Sequence, residues 1–144
     1  MTDAVKASRM REVEKRVADD NQRLRERFAA EVGLLSSKDI ADRAAQPASI
    51  HEAAVFRWRD EGRILSVTWE GKEMFPAYQF KSGQPHPAIK QVLDVLPTSM
   101  SDWQRAFWFV SANGWLDNRE PVELLGQPDH LVAAAQHEAE EVIG

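Results

Sequence analysis

Residue types suited to proton transfer occur at two places in the chain. They are His51-Glu52, and His137-Glu138 with Glu140-Glu141 close behind. A general acid or base also needs a reacting group within hydrogen-bond reach, and the second place carries no nucleophile or glycine loop beside it. No G-x-S-x-G elbow, G-x-G-x-x-G or G-x-x-x-x-G-K-[ST] loop, or H-E-x-x-H helix occurs. The four histidines, His51, His86, His130 and His137, lack metal-ligand spacing, and the absence of cysteine excludes thiolate ligands and disulfides. The expectation is a protein that is not an enzyme and uses no metal or cofactor. Residues 137–141 then read as a solvated helix face, and His51-Glu52 as a pair that reads bases.

Binding chemistry has stronger carriers. Residues 36–45 and 49–60 predict two short helices flanking a tight connection, the second opened by an S-x-x-E capping box, Ser49 with Glu52. Ile40, Ala41 and Ala44 face Ile50, Ala54, Val55 and Trp58, and the small residues allow the close crossing of a helix-turn-helix. In that geometry Ser49, His51 and Glu52 lie nearest base edges, while Arg57 and Arg59 reach phosphates. Arg63–Trp69 and Met74–Phe80 then read as strands of a β-hairpin about Glu70–Glu73, with Pro76 confining the second strand to an edge or a bulge. Such a wing would carry Lys72 to phosphate and cover the core with Trp69, Phe75 and Tyr78. The run V-F-R-W-R-D-E-G-R-I-L resembles the recognition-helix end of MerR-like and excisionase-like DNA-binding domains. Paired helices of this kind also occur as plain structural hairpins.

Ahead of this module, Met10, Val13, Val17, Leu24, Phe28 and Val32 recur at helical spacing, predicting one helix from Thr2 to about Leu35. Asp19-Asp20-Asn21 interrupts the stripe where a coiled coil places a polar layer. Met10, Val13, Val17, Leu24 and Phe28 are therefore candidates for a homodimer seam, the alternative being a helix packed across its own domain. Beyond the hairpin, Pro85 and Pro87 mark Gly83–Pro87 as the domain boundary, and a helix is expected from about Ala88 to Leu96.

The most distinctive stretch runs from Trp103 to Leu125. Trp103, Ala106, Phe107 and Val110 make an apolar stripe, broadened by Trp108 and Phe109. Asn113-Gly114 predicts the stop, Asn118 a cap for the next short helix and Pro121 its first turn. The pattern F-x-x-A-N-G-W-L-D-N-R-E-P-V-E-L-L, from Phe109 to Leu125, resembles the toxin-binding domain of the Xre/MbcA/ParS-type antitoxins, over roughly residues 85 to 144. The resemblance implies a partner-binding motif at Trp115, Leu116, Pro121, Leu124 and Leu125, some of them core. It also implies a toxin partner of the RES class, which consumes NAD, and repression of the pair's own promoter.

Charge is uneven along the chain: residues 1–35 hold 8 basic and 7 acidic groups, residues 36–83 hold 7 and 7, and residues 84–144 hold 3 and 9. An acidic, tryptophan-bearing end suits a basic partner surface. No apolar run approaches membrane-span length and no signal-peptide core opens the chain, so a cytoplasmic location and no membrane partner are expected. The expected fold is mainly α with one β-hairpin: a long N-terminal helix for dimerisation (1–35), a winged helix-turn-helix-like DNA-binding module (36–83) and a small helical protein-interaction domain (84–144). The expected function is an antitoxin-type DNA-binding repressor. A stand-alone dimeric transcriptional regulator, and a protein-only adaptor with a degenerate helix-turn-helix, are the alternatives.

Overall fold

The computed structural model describes residue 9, residues 21–43 and residues 52–143; Met10, Val13, Val17, Ala44, Ser49, Ile50 and His51 lie outside the described residues. The described part is mainly helical with a small antiparallel sheet. The chain divides into two compact units, 1–33 and 34–144.

In the first unit, helix α1 covers residues 21–27 and widens into a π-turn at Phe28–Val32, closed where the Gly33 N–H donates to Phe28 O at 3.0 Å. Gly33 then adopts φ 96°, a value that glycine reaches without a Cβ penalty. The helix therefore stops short of the expected Leu35, because Leu34 and Leu35 are strand β1.

The second unit holds the rest of the described elements. Helix α2 (Ser37–Asp42) is opened by a reciprocal capping box. Asp39 N–H donates to Ser36 Oγ and Ser36 N–H to Asp39 Oδ2, both at 3.0 Å. These bonds hold the Asp39 carboxyl below its ordinary pKa. Described residues of α3 run from Glu52 to Asp60. Strands β2 (Val67–Trp69) and β3 (Lys72–Pro76) form a hairpin as expected, but both strands are shorter than predicted and Lys72 and Glu73 belong to β3 instead of the loop, with Trp69 opposite Lys72. Its two loop residues both take positive φ, Glu70 at 50° and Gly71 at 76°, which matches the right-handed strand twist.

Here the expectation that Pro76 confines its strand to an edge is corrected. The order is β1-β3-β2, so β3 is central, with Leu34 opposite Pro76 and Leu35 opposite Phe75. Proline is accommodated because it is the strand's last residue, where the chain turns into a 3-10 segment, Ala77–Gln79. One core joins these pieces: Leu35, Ile40, Val55, Trp58, Ile64 and Phe75.

Nor does Gly83–Pro87 separate two bodies. Ser82 (φ 55°) and Gly83 (φ 77°) are the turn of a second ribbon, β4 (Phe80–Lys81) with β5 (Gln84–Pro85). Bonds then cross the expected boundary: Tyr78 OH donates to Ala106 O at 2.8 Å and Trp103 Nε1 to Thr68 O at 3.2 Å. Trp69 meets Trp103 edge-on at 6.2 Å. Residues 34–144 pack as one unit.

Helix α4 (Pro87–Leu93) starts with proline in its first turn and is capped by His86, whose Nδ1 accepts from Ala88 N–H at 3.2 Å. Helix α5 (Asp102–Trp108) opens with a Ser101/Gln104 capping box and ends at Trp108, before the expected stop at Asn113-Gly114. Gly114 instead begins a 3-10 turn, Gly114–Leu116, and the left-handed positions are Asp117 and Asn118 at φ 55° and 62°. Asn118 is thus a turn residue and caps nothing. The next 3-10 turn, Pro121–Leu124, has Glu120 at its N-cap position and proline in its first turn, as expected. Helix α6 (Pro128–Ile143) closes the unit, with Leu131, Ala134 and Ala135 buried. No helix among the described residues is long and apolar enough to cross a membrane.

Candidate binding surfaces

The first surface is built by α2, α3 and the hairpin. Ile40 from α2 and Val55 and Trp58 from α3 are buried together, while Ala41 and Ala54 are half-buried. Packing these side chains inward turns Glu52, Ala53, Arg57 and Asp60 to solvent. Arg57 sits in the last turn of α3, where the helix dipole favours a cation. Lys72 is exposed at the start of β3. The two are outward cations on one unit.

Arg59 is placed differently. Its guanidinium pairs with the Glu73 carboxylate on β3 and with Asp60, and lies over the Phe56 ring at 5.1 Å. Glu73 is held in turn by Ser66 Oγ at 2.7 Å. Hydrogen bonds to Glu73 and Asp60 raise the pKa of Arg59 above its ordinary value, so it stays charged. The side chain ties α3 to the hairpin through Glu73. Arg63 similarly lies over Trp58 at 5.7 Å.

Gln79 is the residue the sequence reading missed. It is wholly buried, and its amide serves as a surrogate strand partner. Oε1 accepts from Leu65 N–H at 2.6 Å, and Nε2 donates to Leu65 O at 2.9 Å and to Pro76 O at 3.1 Å. The connection from α3 to β2 is pinned by it. Between α2 and the β4–β5 ribbon lies a cleft of about 280 Å³ lined by Leu35, Ile40, Ala77 and Phe80, with Arg43 its one charged lining residue.

The second surface is the turn after α5. Asn113 organises it. Its Oδ1 accepts from Trp115 N–H at 2.9 Å, its carbonyl accepts from Leu116 and Asn118, and its own N–H donates to Arg119 O. Short polar residues tolerate the left-handed backbone at Asp117 and Asn118. Of the five motif residues, Leu116, Pro121 and Leu124 are core and Leu125 is half-buried. Trp115 alone is presented, 58% exposed. Its ring stacks on His137 of α6 with centroids 3.6 Å apart and planes 7° from parallel. His137 Nδ1 lies 3.5 Å from Glu140 Oε2. The histidine–carboxylate run is thus engaged with an exposed indole.

In the first unit, Leu24 is 47% exposed and Phe28 is 2% exposed. Among the described residues, no cluster of three His, Asp or Glu is placed to hold a metal ion. Compared with known proteins, the chain matches no family model, no curated protein and no solved structure.

Proposed function

We propose that this protein acts by binding, as a regulator of antitoxin type: its α2–α3–hairpin surface engages DNA and its acidic C-terminal surface engages a protein partner. The observation that carries the reading is Trp115. A large aromatic side chain is left exposed within a motif whose other apolar members are wholly or half buried. Exposed, rigidly held aromatics of this kind are the usual anchors of protein interfaces. The DNA arm is supported by two short helices on a shared core, a hairpin locked beside them, and outward Arg57 and Lys72. The winged helix-turn-helix description belongs to this proposal, as does the toxin partner that the resemblance implies.

The test is coexpression with the product of the adjacent gene, followed by NAD consumption by that product with and without the chain. The expected result is a stoichiometric complex and loss of NAD consumption. A neighbour that is neither bound nor inhibited refutes the toxin partner. One observation favours a protein-only adaptor as the second reading: Arg59 is spent on Glu73 and Asp60 within a segment of zero net charge. An adaptor predicts no retention of the chain's own promoter fragment in a mobility-shift experiment at low salt.

A further inference from the structure

Among the described residues, Leu24 and Trp115 are the large apolar side chains left exposed. Trp115 is also held still. Asn113 fixes its backbone and His137 covers one face of its ring, so the exposed area belongs to the opposite face and the ring edges. An aromatic ring fixed in advance loses little conformational entropy on binding. Its π-face carries negative potential and attracts a cation.

The electrostatic setting selects the same ligand. Residues 114–144 contain one basic side chain, Arg119, and seven acidic ones. Arg119 lies 3.9 Å from Glu123. Asp117 is exposed two residues from Trp115, Glu140 contacts the stacked His137, and Glu141 lies one helical turn beyond His137 on the same face. A nucleic-acid backbone would be repelled here. A guanidinium fits best, since its plane can lie on the indole while its N–H fork meets a carboxylate, a geometry an ammonium lacks.

We infer that the open face of Trp115, within this acidic stretch, is a docking site for an arginine side chain on a basic protein partner. The inference rests on the protein-binding reading above and adds the anchor and its chemistry. It is tested by NMR titration of the full-length chain, ¹⁵N-labelled, with acetylated tetra-arginine, tetra-lysine and tetra-glutamate peptides at one ionic strength. Tetra-arginine is expected to move the Trp115 indole N–H resonance and to bind about threefold tighter than tetra-lysine, with tetra-glutamate silent. Trp115→Leu removes an exposed ring, so the fold is expected to persist while the arginine preference disappears. Asp117→Asn with Glu140→Gln weakens both cationic peptides and leaves the stack in place.

Equal binding of arginine and lysine peptides with an unmoved indole overturns the inference. So does a Trp115→Leu chain that binds as the wild type does. The two readings fail separately: a neighbour-encoded protein that binds wild type and Trp115→Leu equally overturns the arginine anchor and leaves protein binding standing. Arginine recognition at Trp115 without any protein partner supports the anchor and removes the antitoxin reading.

Discussion

Gln79→Leu isolates the contribution of one buried amide to the geometry of the first surface. Leucine fills a similar volume, so the cavity term is small, and the substitution removes all three bonds, orphaning the Leu65 N–H and C=O and taking one bond from Pro76 O. Each buried backbone group left unpaired costs roughly 1–3 kcal/mol, which gives about 2–6 kcal/mol for the two. Greater apolar transfer returns about 1–2 kcal/mol, leaving a net loss of about 3 kcal/mol. At roughly 4 °C per kcal/mol for a unit of this size, the melting temperature falls by about 12 °C. Urea unfolding followed by tryptophan emission measures the loss directly, and an unchanged m-value shows that the unfolded state is unaffected. Gln79→Glu keeps the acceptor for Leu65 but loses both donated bonds and buries a charge, so it is expected to destabilise at least as much. A loss below about 1 kcal/mol for Gln79→Leu refutes the claim that this side chain holds the connection between α3 and β2.

Further expectations concern the other locks. Arg59→Ala, Glu73→Ala and the double variant should show losses of stability by urea unfolding that are not additive, as expected of two side chains in direct contact. Ser36→Ala should cost about 1 kcal/mol. Because Asp39 is held below its ordinary pKa, its contribution is complete above the unfolded-state value and fades as pH falls through the folded one; Asp39→Asn should remove that acid limb from a stability–pH profile. Tyr78→Phe should cost about 1 kcal/mol through loss of the bond to Ala106 O. Burial raises the Tyr78 pKa, so in the wild type this phenol favours folding below its ordinary value of about 10 and its contribution is lost as pH rises beyond it. Alkaline unfolding should therefore begin at higher pH in Tyr78→Phe.

The elements that local signals specify were legible in the sequence. Val55 and Trp58 lie on the inner face of α3, the Glu70-Gly71 turn joins β2 to β3, and Pro121 opens its short helix. The misreadings share a cause, which is that partners distant in sequence decided them. Leu34 and Leu35 continue a helical pattern and become a strand only because Phe75 and Pro76 pair with them. Pro85 and Pro87 look like a linker, but Ser82-Gly83 turns the chain back into a ribbon, and Tyr78 and Thr68 reach across to α5. Gln79 carried no signal, since a buried glutamine acting as a strand partner has no local pattern. At the second surface the sequence picked out the motif. Which of its members are core and which one is presented depends on packing against α6, where His137 receives the Trp115 ring.

The central claim is that two distinct surfaces bind two distinct partners. Sedimentation velocity of the chain mixed with its own promoter fragment and the neighbour-encoded protein tests it most directly. The account predicts a ternary complex, from which Trp115→Leu removes the protein alone and Arg57→Ala with Lys72→Ala removes the DNA alone. Loss of both partners through either variant, or of neither through both, would contradict it.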